Sequence, residues 1–104
     1  MSPLHEWYEA ILQDANIPHA HKDAPDIAAA QFLLLHAKDG HARLRDLNPT
    51  SLGRFLSQMG CVKLHRTNGN AWRFPPIDKA RIIWEKYYRR WRWDLDAPEW
   101  VARS

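Results

Sequence analysis

The sequence predicts a mainly α fold carrying one small β-hairpin, and three features predict it. Apolar residues recur at helical spacing in separate stretches, from Leu4 to Ala15, from Leu52 to Met59 and from Ala80 to Trp91. The run from Ile27 to Ala37 is apolar on nearly every face, as a central buried helix would be. Two-residue alternation is confined to one place, where Val62, Leu64, Trp72 and Phe74 flank the turn-forming Asn68-Gly69-Asn70.

Ser2 is placed to cap the first helix and Pro3 to occupy its first position, where the missing N–H costs nothing. Leu4, Trp7, Tyr8, Ile11, Leu12 and Ala15 form its apolar stripe, and Asn16 and Pro18 end it. Residues 18–24 read as a loop rich in histidine and charge. Pro25 and Asp26 open the second helix, and Lys38-Asp39-Gly40 stops it. His41 to Arg45 alternates too briefly to assign. Asn48 and Pro49 repeat the cap-and-proline start for a third helix, with Leu52, Phe55, Leu56 and Met59 inward and Gly60 ending it in the left-handed conformation.

For the hairpin, a loop of Asn68 to Asn70 pairs Leu64 with Phe74, His65 with Arg73 and Arg66 with Trp72. That register puts Val62, Leu64, Trp72 and Phe74 on one face and Lys63, His65, Thr67 and Arg73 on the other. A last helix is expected over about 78–93, with Ala80, Ile83, Trp84, Tyr87 and Trp91 inward and Lys79, Arg81, Lys86, Arg89, Arg90 and Arg92 covering the rest. The tail from Leu95 is expected to pack only locally. Together these elements describe one domain spanning residues 1–104, a winged helix-turn-helix with an additional C-terminal helix and a wing over about 61–76.

Charge divides the chain. Residues 1–47 carry four Lys/Arg against seven acids, a net of −3, whereas residues 48–104 carry eleven against five, a net of +6. Such asymmetry fits a polyanionic partner for the second half, or a solvated basic face. The single cysteine, Cys61, excludes an internal disulfide and fits a reducing compartment, and no apolar run is long enough to span a membrane. A cytoplasmic protein without membrane attachment is expected.

Two constellations suit nucleic acid. On the third helix, Thr50, Ser51, Arg54, Ser57 and Gln58 lie off the apolar stripe. Hydroxyls near a helix N-terminus suit phosphate, Arg54 suits a guanine edge or a phosphate, and Gln58 suits an adenine edge. On the hairpin, Lys63, His65, Arg66, Asn68, Asn70 and Arg73 present donors with no carboxylate beside them in sequence. Strand cations also keep sheet edges from pairing with other chains, and Arg66 has the alternative of lying over Trp72. In the last helix, Arg89 and Arg90 suit phosphates, with Tyr88 and Trp93 as stacking platforms or as a protein-docking surface. Six histidines show no familiar zinc spacing, so no metal or other cofactor is expected. No phosphate loop, nucleophile elbow or carboxylate pair is present, and an enzyme is not expected.

The segment from Asn48 to Pro76, with Pro-Thr-Ser-Leu-Gly-Arg-Phe-Leu, then Met-Gly-Cys, then a basic Asn-Gly hairpin ending Trp-Arg-Phe, resembles the C-terminal winged-helix region of phage and plasmid replication primase–helicases of the virulence-associated E and poxvirus-like types. The resemblance covers about thirty residues of the 104. It implies a DNA-binding module for replication, with duplex or forked DNA and an upstream helicase–primase domain or other replication protein as partners. Thr50, Ser51, Arg54, Lys63, His65, Arg66, Asn68, Asn70 and Arg73 would be the contacts. The other readings are a protein–protein interaction module and a small phage regulator that binds an operator.

Overall fold

Helices and antiparallel strands alternate along the chain in a computed structural model, which describes residues 2–67, 69–88, 93 and 95–102. The order is α1 (Pro3–Asp14), β1 (Ala20–His21), β2 (Ala24–Ala29), α2 (Ala30–Gly40), a 3-10 turn (Ala42–Leu44), α3 (Pro49–Gln58), β3 (Val62–Arg66), β4 (Gly69–Arg73) and α4 (Ile77–Tyr87). The strands form one four-stranded sheet in the order β1-β2-β4-β3. The architecture is therefore α/β. The expectation of a mainly α fold, a winged helix-turn-helix whose β content is a single hairpin, is overturned by β1 and β2, which extend the hairpin into a sheet.

The reason lies in residues 24–29. Their alanines favour helix in isolation, but a short apolar run without polar phasing has no helical face to choose, and tertiary pairing decides. Ile27, Ala28 and Ala29 pair with Arg73, Trp72 and Ala71 of β4. Pro25 stands near the strand's start, where its missing N–H is tolerated. The second helix consequently starts later than expected and is far less buried. Only Leu33 and Ala37 are buried in it, while Phe32 and Leu35 are 44% and 53% exposed.

α1 and α3 form as their caps dictate. Ser2 Oγ accepts from the His5 N–H, and Asn48 Oδ1 accepts from the Ser51 N–H at 2.8 Å, each with proline opening the helix. α3 ends in a Schellman motif: the Gly60 N–H donates to the Ser57 carbonyl at 3.1 Å and the Cys61 N–H to Leu56 at 2.9 Å, with Gly60 at φ 89°.

That cap sets the phase of the hairpin. It turns Cys61 inward, where the thiol is buried and pushed up to about 12 by desolvation. Val62 then faces the opposite side of the sheet and is 56% exposed. Leu64 pairs with Ala71, His65 with Asn70 and Arg66 with Gly69, so two positions separate the strands in place of the expected three. The expected faces are accordingly wrong. Ala28, Trp72 and Lys63 share the face that meets the helices, and Val62, Leu64, Arg66 and Arg73 share the other with Ile27, Ala29 and Ala71.

The core joins Tyr8 and Leu12 of α1, Leu33 of α2, Leu52 and Leu56 of α3, Trp72 and Phe74 of the sheet's end, and Ile77 and Trp84 of α4. α4 departs from expectation at Tyr87, which is 51% exposed, and expected core residue Trp91 lies outside the described residues. The tail packs at long range rather than locally. Trp100 is buried edge-on to Phe74 and donates to the Pro75 carbonyl at 2.8 Å, and the Val101 N–H donates to Ala15.

Arg81, expected on the polar side of α4, is only 8% exposed. Its Nε and Nη2 donate to the Leu12 carbonyl at 3.2 and 2.7 Å, which places a cation on the C-terminal end of α1. Arg81→Met keeps much of the side-chain volume but strips that carbonyl of charged donors. Urea unfolding is expected to show a loss of about 2 kcal/mol with an unchanged denaturant slope.

Candidate nucleic-acid interface

α3 carries its apolar residues on one side, so Thr50, Arg54, Ser57 and Gln58 fall on the other at spacings of three and four, all exposed. Ser51 is half-buried, and its N–H is used by the Asn48 cap. One edge of α3 lies against the hairpin because Gly53 has no side chain. A Cβ there would stand 3.3 Å from Cζ2 of Trp72, so even alanine would require the Trp72 ring to give by a few tenths of an ångström. This contact brings the helix-facing side of the hairpin next to α3. Lys63, opposite Trp72, lines the same groove as Pro49 and Leu52. His65 and Asn70, paired with each other, follow on that face, and both are exposed.

Arg66 and Arg73 do not join this group. Their positions in the register put them on the opposite face of the sheet, where Arg66 Nη1 lies 3.3 Å from Nε2 of His21 on β1. The alternative of Arg66 over Trp72 is excluded by the same register, since the two occupy different faces. Asn68, Arg89 and Arg90 lie outside the described residues. Tyr88 is not a free platform: its ring packs 4.4 Å from Trp84 and 4.3 Å from His5. Trp93 donates to Glu85 at 3.0 Å and lies under the Arg81 guanidinium.

The interface assembled by the fold is thus Thr50, Arg54, Ser57 and Gln58 of α3 with Lys63, His65 and Asn70 of the hairpin. His41 meets Glu6 at 2.9 Å, and among the described residues no carboxylate stands within ion-pair distance of Arg54 or Lys63. Two cations without a carboxylate partner, one on each of two neighbouring elements, are suited to phosphate. Sequence reasoning missed two features here. Gln31 of α2 stands beside the hairpin because β2 delivers α2 to that place, and Gly53 is a spacer between α3 and the sheet only once Trp72 is known to face it.

A second cleft, of about 460 Å³, lies between α1 and α2 and is lined in part by Glu6, Trp7, Asp14, His19, His36 and His41. Among the described residues no group of three or more His, Cys, Asp or Glu is placed to hold a metal ion. The cleft has a pH-dependent part. Trp7 Nε1 donates to His36 Nδ1 at 3.0 Å, which requires that nitrogen unprotonated. Burial first, and His19 second, hold His36 below its ordinary value of 6.5, with Asp39 opposing. The unfolded chain therefore takes up this proton before the folded one does. The contribution is complete above about pH 6.5 and is lost as pH falls below it. The melting temperature is expected to drop across that window, and His36→Gln, whose amide oxygen can accept from Trp7, should flatten part of the drop.

No family model matches the chain, and neither a curated protein nor a solved structure does. Among the described residues no helix is long and apolar enough to cross a membrane.

Proposed function

We propose that this chain binds duplex DNA, with α3 in the major groove and the helix-facing side of the hairpin on the flanking backbone. The observation that carries this reading is the exposed polar face of α3, Thr50, Arg54, Ser57 and Gln58, on a helix whose Pro49 and Leu52 share a groove with Lys63, with no carboxylate partner for Arg54 or Lys63 among the described residues. An α-helix fits the major groove, where arginine and glutamine side chains meet base edges, and the hydroxyls and lysine meet phosphates. The asymmetry of charge supports it, since the net +6 lies in the half that holds these residues. We further propose, on the resemblance of residues 48–76 alone, that the binding serves replication of a mobile element, as a module acting with a helicase–primase.

Fluorescence anisotropy of labelled duplex across a salt series tests the first reading. Micromolar or tighter binding that weakens steeply with salt is expected, because each neutralised phosphate releases condensed counterion. Absence of binding at low salt would instead favour protein docking, for which the exposed Phe32 and Leu35 of α2 are the motivating feature.

A further inference from the structure

At the junction of α2, α3 and the hairpin lies a groove of about 270 Å³. Trp72, Leu34 and Pro49 line it with apolar surface, and the small Ala30 leaves it open beside them. Three exposed polar side chains from three different elements stand around it: Gln31 of α2, Lys63 of β3 and Asn70 of β4. No acidic residue lines it.

We propose that this groove receives a single unpaired nucleobase from the bound DNA, held by apolar contact with Leu34 and Pro49, by the amides of Gln31 and Asn70, and by Lys63 at the phosphate. The inference rests on the proposed DNA contact and adds a substrate class to it: DNA with an unpaired nucleotide at or near a junction.

Size, chemistry and position converge on this occupant. Sites for drug-sized ligands begin at roughly 300 Å³, so a groove just below that range suits one planar heterocycle. A carboxamide can donate to and accept from the edge of a base, and two of them stand around one hollow. An unpaired base offers its edge and its ring face together, which a paired base does not. The position follows from α3: Pro49, at its first turn, lines the groove, and Thr50 and Arg54 begin the polar stripe next to it. A strand lying along that stripe therefore passes the mouth of the groove. The lone charge there, Lys63, suits the phosphate beside such a base.

The test is anisotropy with three labelled probes of equal length: a fully paired duplex, the same duplex with one extra unpaired base, and the same duplex with an abasic nucleotide at that site. The extra base is expected to tighten binding roughly tenfold over the paired duplex, and the abasic site to give none of that gain. Gln31→Ala should reduce the gain and leave paired-duplex binding as it was. Ala30→Phe, which fills the groove, should abolish the gain, with its melting temperature measured alongside. Equal binding to all three probes would overturn the groove assignment and leave duplex binding standing. An equal gain from the abasic probe would also overturn it, since the protein would then be reading duplex flexibility. Failure to bind any probe would overturn the DNA reading and this inference with it.

Discussion

Duplex affinity is expected to fall roughly a hundredfold when Arg54 and Lys63 are both replaced by glutamine, and far less when Arg66 and Arg73 are. Each double variant removes two positive charges, so any general loss of electrostatic attraction is common to both. They differ in where the charges stand. Arg54 lies on the polar stripe of α3 and Lys63 on the sheet face beside it, whereas Arg66 and Arg73 lie on the reverse of the sheet. An arginine at a base edge contributes about 1–3 kcal/mol and a lysine at a phosphate about one unit of salt slope. Losing both amounts to about 2–3 kcal/mol, which at about 1.4 kcal/mol per decade is close to two orders of magnitude. The slope of log affinity against log salt should flatten by about one for the Arg54–Lys63 pair, through Lys63 at a phosphate, and hardly change for the other. Equal losses from both variants would mean that the sheet's register does not separate contact from non-contact residues. A larger loss from Arg66 and Arg73 would move the interface to the reverse face.

Which parts of this arrangement were legible in the sequence follows from how local the determinants are. α1 and α3 were, because a cap residue, a proline and an apolar stripe lie within a dozen positions of one another, and the helix they specify forms as expected. Gly60 was legible for the same reason: its place just beyond α3 predicts the positive φ that it adopts. β2 was not, because residues 24–29 carry no two-residue alternation and become a strand only by pairing with Ala71, Trp72 and Arg73, more than forty positions away. Missing that strand also hid the second apolar surface of the sheet. With one buried face in view, Val62 and Leu64 had to join Trp72, and the hairpin register was drawn to suit. With two faces, Val62 and Leu64 lie beside Ile27, Ala29 and Ala71. The error propagated to the site, where Arg66 and Arg73 stood level with Lys63 as candidates. Arg81 was illegible on other grounds: a cation on a helix reads as solvated until the carbonyl it caps is known.

Gly60→Ala is expected to destabilise the fold by about 2–3 kcal/mol in urea unfolding, a large share of the 5–15 kcal/mol typical of a small domain. Two separate costs combine. At φ 89° a residue with a Cβ is strained by about 1–2 kcal/mol. The new Cβ would also stand 2.8 Å from Cδ1 of Ile83 and 3.7 Å from Cγ of Pro75, so Ile83 must turn its Cδ1 aside, at roughly 1 kcal/mol more. A double-mutant cycle separates them: adding Ile83→Ala removes the clash but not the backbone strain, so the two substitutions should couple by about 1 kcal/mol. Gly40→Ala is the control. Gly40 has nothing within 4 Å of the added Cβ and no positive φ, so this change is expected to be neutral or to stabilise by up to about 1 kcal/mol, through the unfolded chain. Because Gly60 is the turn that joins α3 to β3, its strain falls on the element that sets Lys63 beside α3. The Gly60→Ala protein should therefore lose duplex affinity even at temperatures where it remains folded, and Gly40→Ala should not. Unchanged affinity in a strained but folded Gly60→Ala protein would show that the angle between α3 and the hairpin is not what aligns the interface.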